Sequence, residues 1–151
     1  MQAAIFEALK AKKKGNHAVG AVVVKNEKII ARGGNSSRSQ KTPAQHAELV
    51  AIFAASKVLK SRHLEGCVLY TTHEPCPMCM AATIWARADA VIYGAKIADM
   101  AAYRRKNPNG NYTWRTIRIS AKEILDKSQP KSNVRLVGGF MRDECRQLFH
   151  S

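Results

Sequence analysis

Short runs of β-branched residues alternate with helix-period segments along this chain, and such alternation admits few folds. Residues 2–14 place Ile5, Ala8, Leu9 and Lys12 at helical spacing, with lysines at the end and Gly15 as the stop. Ala18–Lys25 and Lys28–Ala31 read as strands joined through Asn26-Glu27, a hairpin. Residues 32–43 are a Gly/Ser/Asn-rich loop. A helix is predicted over Ala44–Leu59, where Leu49, Ile52, Phe53, Ser56 and Leu59 recur at helical spacing. Cys67–Thr71 is a short apolar strand, and Pro77–Arg87 an apolar helix with proline in its first turn. Ala90–Tyr93 is a further buried strand, closed by Gly94. Residues 95–118 read mostly as loop, with residues 107–110 (Asn-Pro-Asn-Gly) as a turn. Ser120-x-x-Glu123 is a capping box opening a short helix. Val134–Val137 is a strand, Gly138-Gly139 a turn and Met141–Phe149 a final amphipathic helix. The order α-β-β-α-β-α-β-α-β-α predicts an α/β fold, a three-layer α/β/α sandwich with a mixed five-stranded sheet.

The 151 residues lie near the roughly 150-residue expectation for one domain, so residues 1–151 are expected to form a single domain. The longest apolar run, Met78–Ala86, falls well short of the ~20 residues a membrane helix needs. The first lysines follow an apolar stretch, the reverse of a secretory signal, which favours a cytoplasmic protein without membrane contact. Lys and Arg total 25 against 11 Asp and Glu, a net charge of +14. That excess suits an anionic partner such as RNA, a nucleotide or phosphate, although net charge also serves solubility alone. Two acid-free stretches concentrate it: residues 8–26, with Lys10, Lys12, Lys13, Lys14 and Lys25, and residues 100–118, with Arg104, Arg105, Lys106, Arg115 and Arg118. Tyr103, Tyr112 and Trp114 flank the second stretch but do not alternate with its charges as a base-stacking platform would.

The chemistry gathers at two helix starts. One helix opens with His46-Ala-Glu48, the other with Glu74-Pro-Cys76-Pro-Met-Cys79. One histidine and a Cys-x-x-Cys pair give three ligands, the number a catalytic zinc uses while keeping a fourth position for water. A helix start also favours thiolate, because its unpaired N–H groups and dipole stabilise negative charge. Glu48, two residues after the histidine, is placed to reach that water without binding the metal. Taken alone, Cys-x-x-Cys also fits a redox pair, and a structural zinc would want a fourth protein ligand from Cys67 or Cys145. Those two cysteines sit in an apolar strand and an amphipathic helix and are expected in the core. His17, His63, His73 and His150 lack motif context and are expected to be structural or surface residues.

Three segments, His46-Ala-Glu48, the run Leu69-Tyr-Thr-Thr-His-Glu-Pro-Cys-Pro-Met-Cys79 and Ala81–Gly94, together resemble the cytidine deaminase superfamily. Within it they resemble the branch holding guanine deaminase, fungal-type cytosine deaminase and bacterial tRNA adenosine deaminase. The similarity runs from about Ala18 to Gly94, with a weaker echo in Val137–Cys145. It implies a cytidine deaminase-like fold, Zn2+ as cofactor held by His46, Cys76 and Cys79, and Glu48 as the proton shuttle. It also implies a base contact at Asn35, further substrate contacts at Ala47, Trp85 and Asp99, and a homodimer. The activity implied is hydrolytic: an exocyclic amino group becomes a carbonyl and ammonia leaves. The Pro77-Met78 filling and Ile84–Arg87 resemble deaminases of nucleobases or nucleosides, guanine- or cytosine-type, more than tRNA enzymes. The net charge keeps tRNA, and hence a tRNA-specific adenosine deaminase, as the alternative. A non-catalytic zinc or RNA-binding module is the third reading, against which the intact Glu48 speaks.

Overall fold

The hairpin turn is Asn26 and Glu27, both at positive φ (47° and 61°), so Lys25 faces Lys28 across a two-residue loop. A computed structural model of the chain describes residues 1–108 and 116–149. Along it run α1 (Gln2–Lys13), β1 (Gly20–Lys25), β2 (Lys28–Gly34), α2 (Ala47–Leu59), β3 (Cys67–His73) and α3 (Pro77–Trp85). Then follow β4 (Ala90–Ala95), α4 (Ile97–Lys106), α5 (Ala121–Asp126), β5 (Arg135–Gly138) and α6 (Arg142–Gln147). The five strands form one mixed sheet in the order β2-β1-β3-β4-β5. β1 is antiparallel to β2 and β3, whereas β3, β4 and β5 run parallel. The predicted sandwich on a mixed five-stranded sheet is therefore the observed architecture.

Two apolar clusters carry the layers. Ala47, Ala51 and Ala55 of α2, Met80 of α3 and Ala121 of α5 pack with Ala21, Val23, Leu69 and Val91 of the sheet. Ala8 of α1, Met100 of α4 and Cys145 of α6 gather with Ala95, Leu148 and Phe149 in the second. Alanines dominate where helices meet strands, and the approach is close. A Cβ on Gly20 would overlap the Ala4 carbonyl oxygen of α1, and one on Gly33 the Ala47 carbonyl oxygen of α2. Cys67 and Cys145 are fully buried and unbridged, as core cysteines.

Besides shifts of one or two residues at the ends of α1, β1, α3, β5 and α6, three expectations need correction. Helix α2 begins at Ala47, not Ala44, because His46 holds an extended backbone (φ −71°, ψ 150°) and serves as the N-cap. Strands β2, β3 and β4 run further than predicted, to Gly34, His73 and Ala95, because sheet pairing carries the chain through residues of low strand propensity. The segment read as loop contains α4, whose start rests on tertiary contacts. Asn109, Gly110, Tyr112, Trp114, Arg115 and His150 lie outside the described residues. Among those described, no helix is long and apolar enough to cross a membrane.

Candidate active site

The sheet brings both motifs to one edge. Because β1 is antiparallel to its neighbours, its start lies beside the ends of β2 and β3: Gly20 faces Gly34, and Ala21 faces Thr71. His73 at the end of β3 pairs with Ala95 at the end of β4. Helices α2 and α3 start from this edge, with His46 as N-cap of one and Cys76 as N-cap of the other. Cys79 follows in the first turn of α3.

His46 Nδ1 lies 3.5 Å from Cys76 Sγ and 3.6 Å from Cys79 Sγ, and the two sulfurs are 3.6 Å apart. Zinc bonds of ~2.3 Å to sulfur and ~2.0–2.1 Å to nitrogen, set at a tetrahedral angle, call for edges of about 3.6–3.8 Å. The triangle matches, so these three residues fit zinc and form a possible metal site. Hydrogen bonding with Cys79, then with His46, outweighs burial and pulls the Cys76 thiol down to about 4. The Cys79 thiol is pushed above its usual range, first by that same bond and then by burial. Hydrogen bonding to Cys76 raises His46.

Glu48 sits in the first turn of α2, only 3% exposed, and burial pushes its carboxyl up to about 7 against the charge of His46. It faces a cavity of about 520 Å³, within the range of small-molecule sites. Asn35 lines the same cavity. Its Oδ1 accepts hydrogen bonds from the Ser37 N–H (3.2 Å) and hydroxyl (3.0 Å), which leaves the Nδ2 amide as the donor for a ligand. Pro43, Met78, Ile97 and Ile117 supply apolar walls.

The structure does not bring every expected contact here. Ala47 is fully buried, with its side chain in the core beside Ala51 and Ala55. Trp85, 77% exposed, ends α3, roughly 9–13 Å along the helix axis from Cys79 and Cys76 at 1.5 Å per residue. It borders a second hollow of about 1230 Å³ with Arg62 and Arg87. Asp99 is committed to structure: it accepts from the Lys96 N–H (2.8 Å) and from Arg142 Nε and Nη2 (3.0 and 2.6 Å), joining α4 to α6.

Other residues at the site were given no role by the sequence reading. His17 and His73 both line the cavity. Burial, then the charges of Arg38 and His46, hold His17 down at about 4, so its ring is neutral at pH 7. Asn16, 1% exposed, accepts at Oδ1 from the N–H groups of Arg38 (3.1 Å) and Ser39 (3.0 Å) and donates to Ser39 Oγ (3.1 Å). It thereby pins the loop between Asn35 and His46. The buried carboxyl of Glu74 accepts from the first N–H of two helices, Ile97 of α4 and Ala121 of α5. The only hints in sequence were adjacency: His73 and Glu74 precede Cys76, and Asn16 and His17 precede β1.

Residues 1–95 match the family described as the cytidine and deoxycytidylate deaminase zinc-binding region. A guanine deaminase of Bacillus subtilis is 50% identical over 82 residues, 54% of this chain and 53% of that protein. That match spans about half of the relative's length. A tRNA-specific adenosine deaminase of the same organism is 34% identical over 145 residues, 96% of this chain and 81% of that protein. A solved structure from work on A-to-I editing by tRNA:A34 deaminases superposes with a TM-score of 0.80 at 29% identity, covering 98% of this chain and 96% of that one.

Proposed function

This chain belongs to the cytidine and deoxycytidylate deaminase family, and from that membership we propose a single-domain, cytoplasmic zinc-dependent hydrolase. It converts the exocyclic amino group of a nucleobase or nucleoside, guanine- or cytosine-type, to a carbonyl and releases ammonia. One observation carries this reading: the His46, Cys76 and Cys79 triangle stands at a cavity that also holds the buried Glu48.

Bound by those three residues, zinc would supply Lewis acidity that makes hydroxide available at neutral pH. Glu48 does the proton work. Its carboxyl, poised near neutrality by burial, takes a proton from the attacking water and gives it to the ring nitrogen beside the amino-bearing carbon. It then takes the proton of the newly added hydroxyl and passes it to the amino group, so that the C–N bond breaks as the C=O bond forms and ammonia leaves. Asn35 orients the base through Nδ2, while Met78, Ile97 and Ile117 exclude water from its faces.

A tRNA-specific adenosine deaminase is the second reading, favoured by the match along 96% of the chain and by the net charge of +14. A homodimer is part of the proposal: Phe53 (65% exposed) and Val58 (60%) on α2, with Trp85 on α3, leave large apolar groups for a second copy to cover. Ammonia release from guanine, cytosine, adenine, their nucleosides and a tRNA anticodon stem-loop tests the assignment. Turnover of a free base or nucleoside supports it, and turnover of the stem-loop alone replaces it with the second reading. No ammonia from any of these with zinc bound overturns both.

A further inference from the structure

Glu74 is neither a ligand in the triangle nor a proton carrier in the scheme above, yet it is only 6% exposed at the site. Its oxygens are both engaged. Oε2 accepts from the Ile97 N–H at 3.0 Å, and Oε1 from the Ala121 N–H at 3.1 Å, donors 23 and 47 residues further along the chain. Those are the first N–H groups of α4 and α5, which have no partner within their own helices. Both helix starts turn their positive ends toward the same carboxyl. The backbone of Glu74 is fixed as well: its N–H donates to the Ala95 carbonyl at 2.7 Å, and its own carbonyl contacts His73 Nδ1 at 2.9 Å.

Glu74 thus ties the ligand loop to two helices that are otherwise far away in sequence. The N-cap of α4, Lys96, has no side-chain acceptor to offer its helix, so this start depends on Glu74 and Asp99. Ile97 lines the cavity, as do Thr116 and Ile117 on the segment that leads into Ala121. We propose that Glu74 is a positioning residue that holds the Ile97 and Ile117 wall at a fixed place against the metal ligands and so sets substrate affinity. The anchoring stands on the hydrogen bonds alone; the effect on affinity rests on the deaminase reading.

The test is Glu74→Gln in the zinc-loaded full chain, with guanine as the first probe. Glutamine keeps one carbonyl acceptor but sets an NH2 group against the other helix. A lost hydrogen bond to a charged group corresponds to about tenfold or more in an equilibrium. Hydrogen exchange is expected to quicken by about that factor at whichever of the Ile97 and Ala121 amides meets the NH2 group, while Leu69 and Val91 in the sheet stay protected and zinc content is unchanged. KM should rise about tenfold with kcat within about threefold. Unchanged exchange at both amides overturns the anchoring, whether or not the protein releases ammonia. Faster exchange with unchanged KM overturns the link to affinity, and loss of zinc in step with activity would make Glu74 a support of the metal loop instead. Should the glutamine variant fail to fold, Glu74→Asp reaches one donor only, and exchange should quicken at one of the two amides.

Discussion

Glu48 combines 3% exposure with a carboxyl pushed up to about 7, and proton transfer at neutral pH needs that combination. Glu48→Gln keeps the volume and leaves His46, Cys76 and Cys79 untouched. Zinc content should stay at one per chain while ammonia release falls by at least ~10²–10⁴, the usual worth of one positioned acid–base group. Near-normal turnover in that variant would end the scheme. It is the sheet that brings the two pairs of the motif together. The pairs themselves, His46 with Glu48 and Cys76 with Cys79, were legible because each lies within one helical turn. Asn16, His17 and Glu74 were not, since their roles arise from contacts 22 to 47 residues away or from a place on the cavity wall. Trp85 and Asp99, expected as substrate contacts, are not among the residues that line the cavity. Trp85 ends α3, away from the ligand turn, and Asp99 is spent on Arg142.

Elements were legible where their ends are written locally. Ser120 accepts from the Glu123 N–H at 3.2 Å while Glu123 accepts from the Ser120 N–H at 2.8 Å, the capping box the sequence announces. Helix α4 has no such signal, and Met100 is its one fully buried residue, so its apolar period is faint. Packing between elements yields two expected outcomes. Gly20→Ala drives a methyl into the backbone of α1 at Ala4 and Ala8, which no side-chain rotation relieves. Urea unfolding should show a loss of about 1–3 kcal/mol or more, as for other overpacked sites. Asp99 joins α4 to α6 from a side chain only 8% exposed. Burial raises its carboxyl, but the hydrogen bonds from Arg142 and the Lys96 N–H, with the charges of Arg142 and Arg146, leave it below the usual range. A folded pKa below the unfolded value of ~3.9 adds stability that is present above that pH and lost as pH falls through the folded value. Asp99→Asn should therefore destabilise at neutral pH, with its urea midpoint converging on the wild-type midpoint in acid. A gap independent of pH would show that the pair does not carry the effect.

For the molecule as a whole, strand and helix alternation was enough to give the layers, because a sheet with helices in alternation has few ways to bury both faces. Net charge was harder to read, since +14 serves RNA binding and solubility alike. The structure gives the question a place. Arg104, Arg105 and Lys106 are exposed in the last turn of α4, whose first residue, Ile97, stands on the cavity wall. At 1.5 Å per residue they lie roughly 10–13 Å along the axis from that wall, too far for a free base but within reach of a polynucleotide leaving the cavity. For a base or nucleoside, changing all three to Ala should leave kcat/KM almost unaltered, and added salt should matter little. For tRNA, each phosphate contact contributes about −0.7 to −0.9 to the slope of log K against log salt. Three lost contacts would then flatten that slope by about two units and weaken binding severalfold or more. The expected outcome is the first, since the Pro77-Met78 filling and the apolar wall shape the pocket itself whereas the charge lies outside it. A steep salt dependence that flattens in the triple variant would overturn that expectation and make RNA the substrate that the basic end of α4 exists to hold.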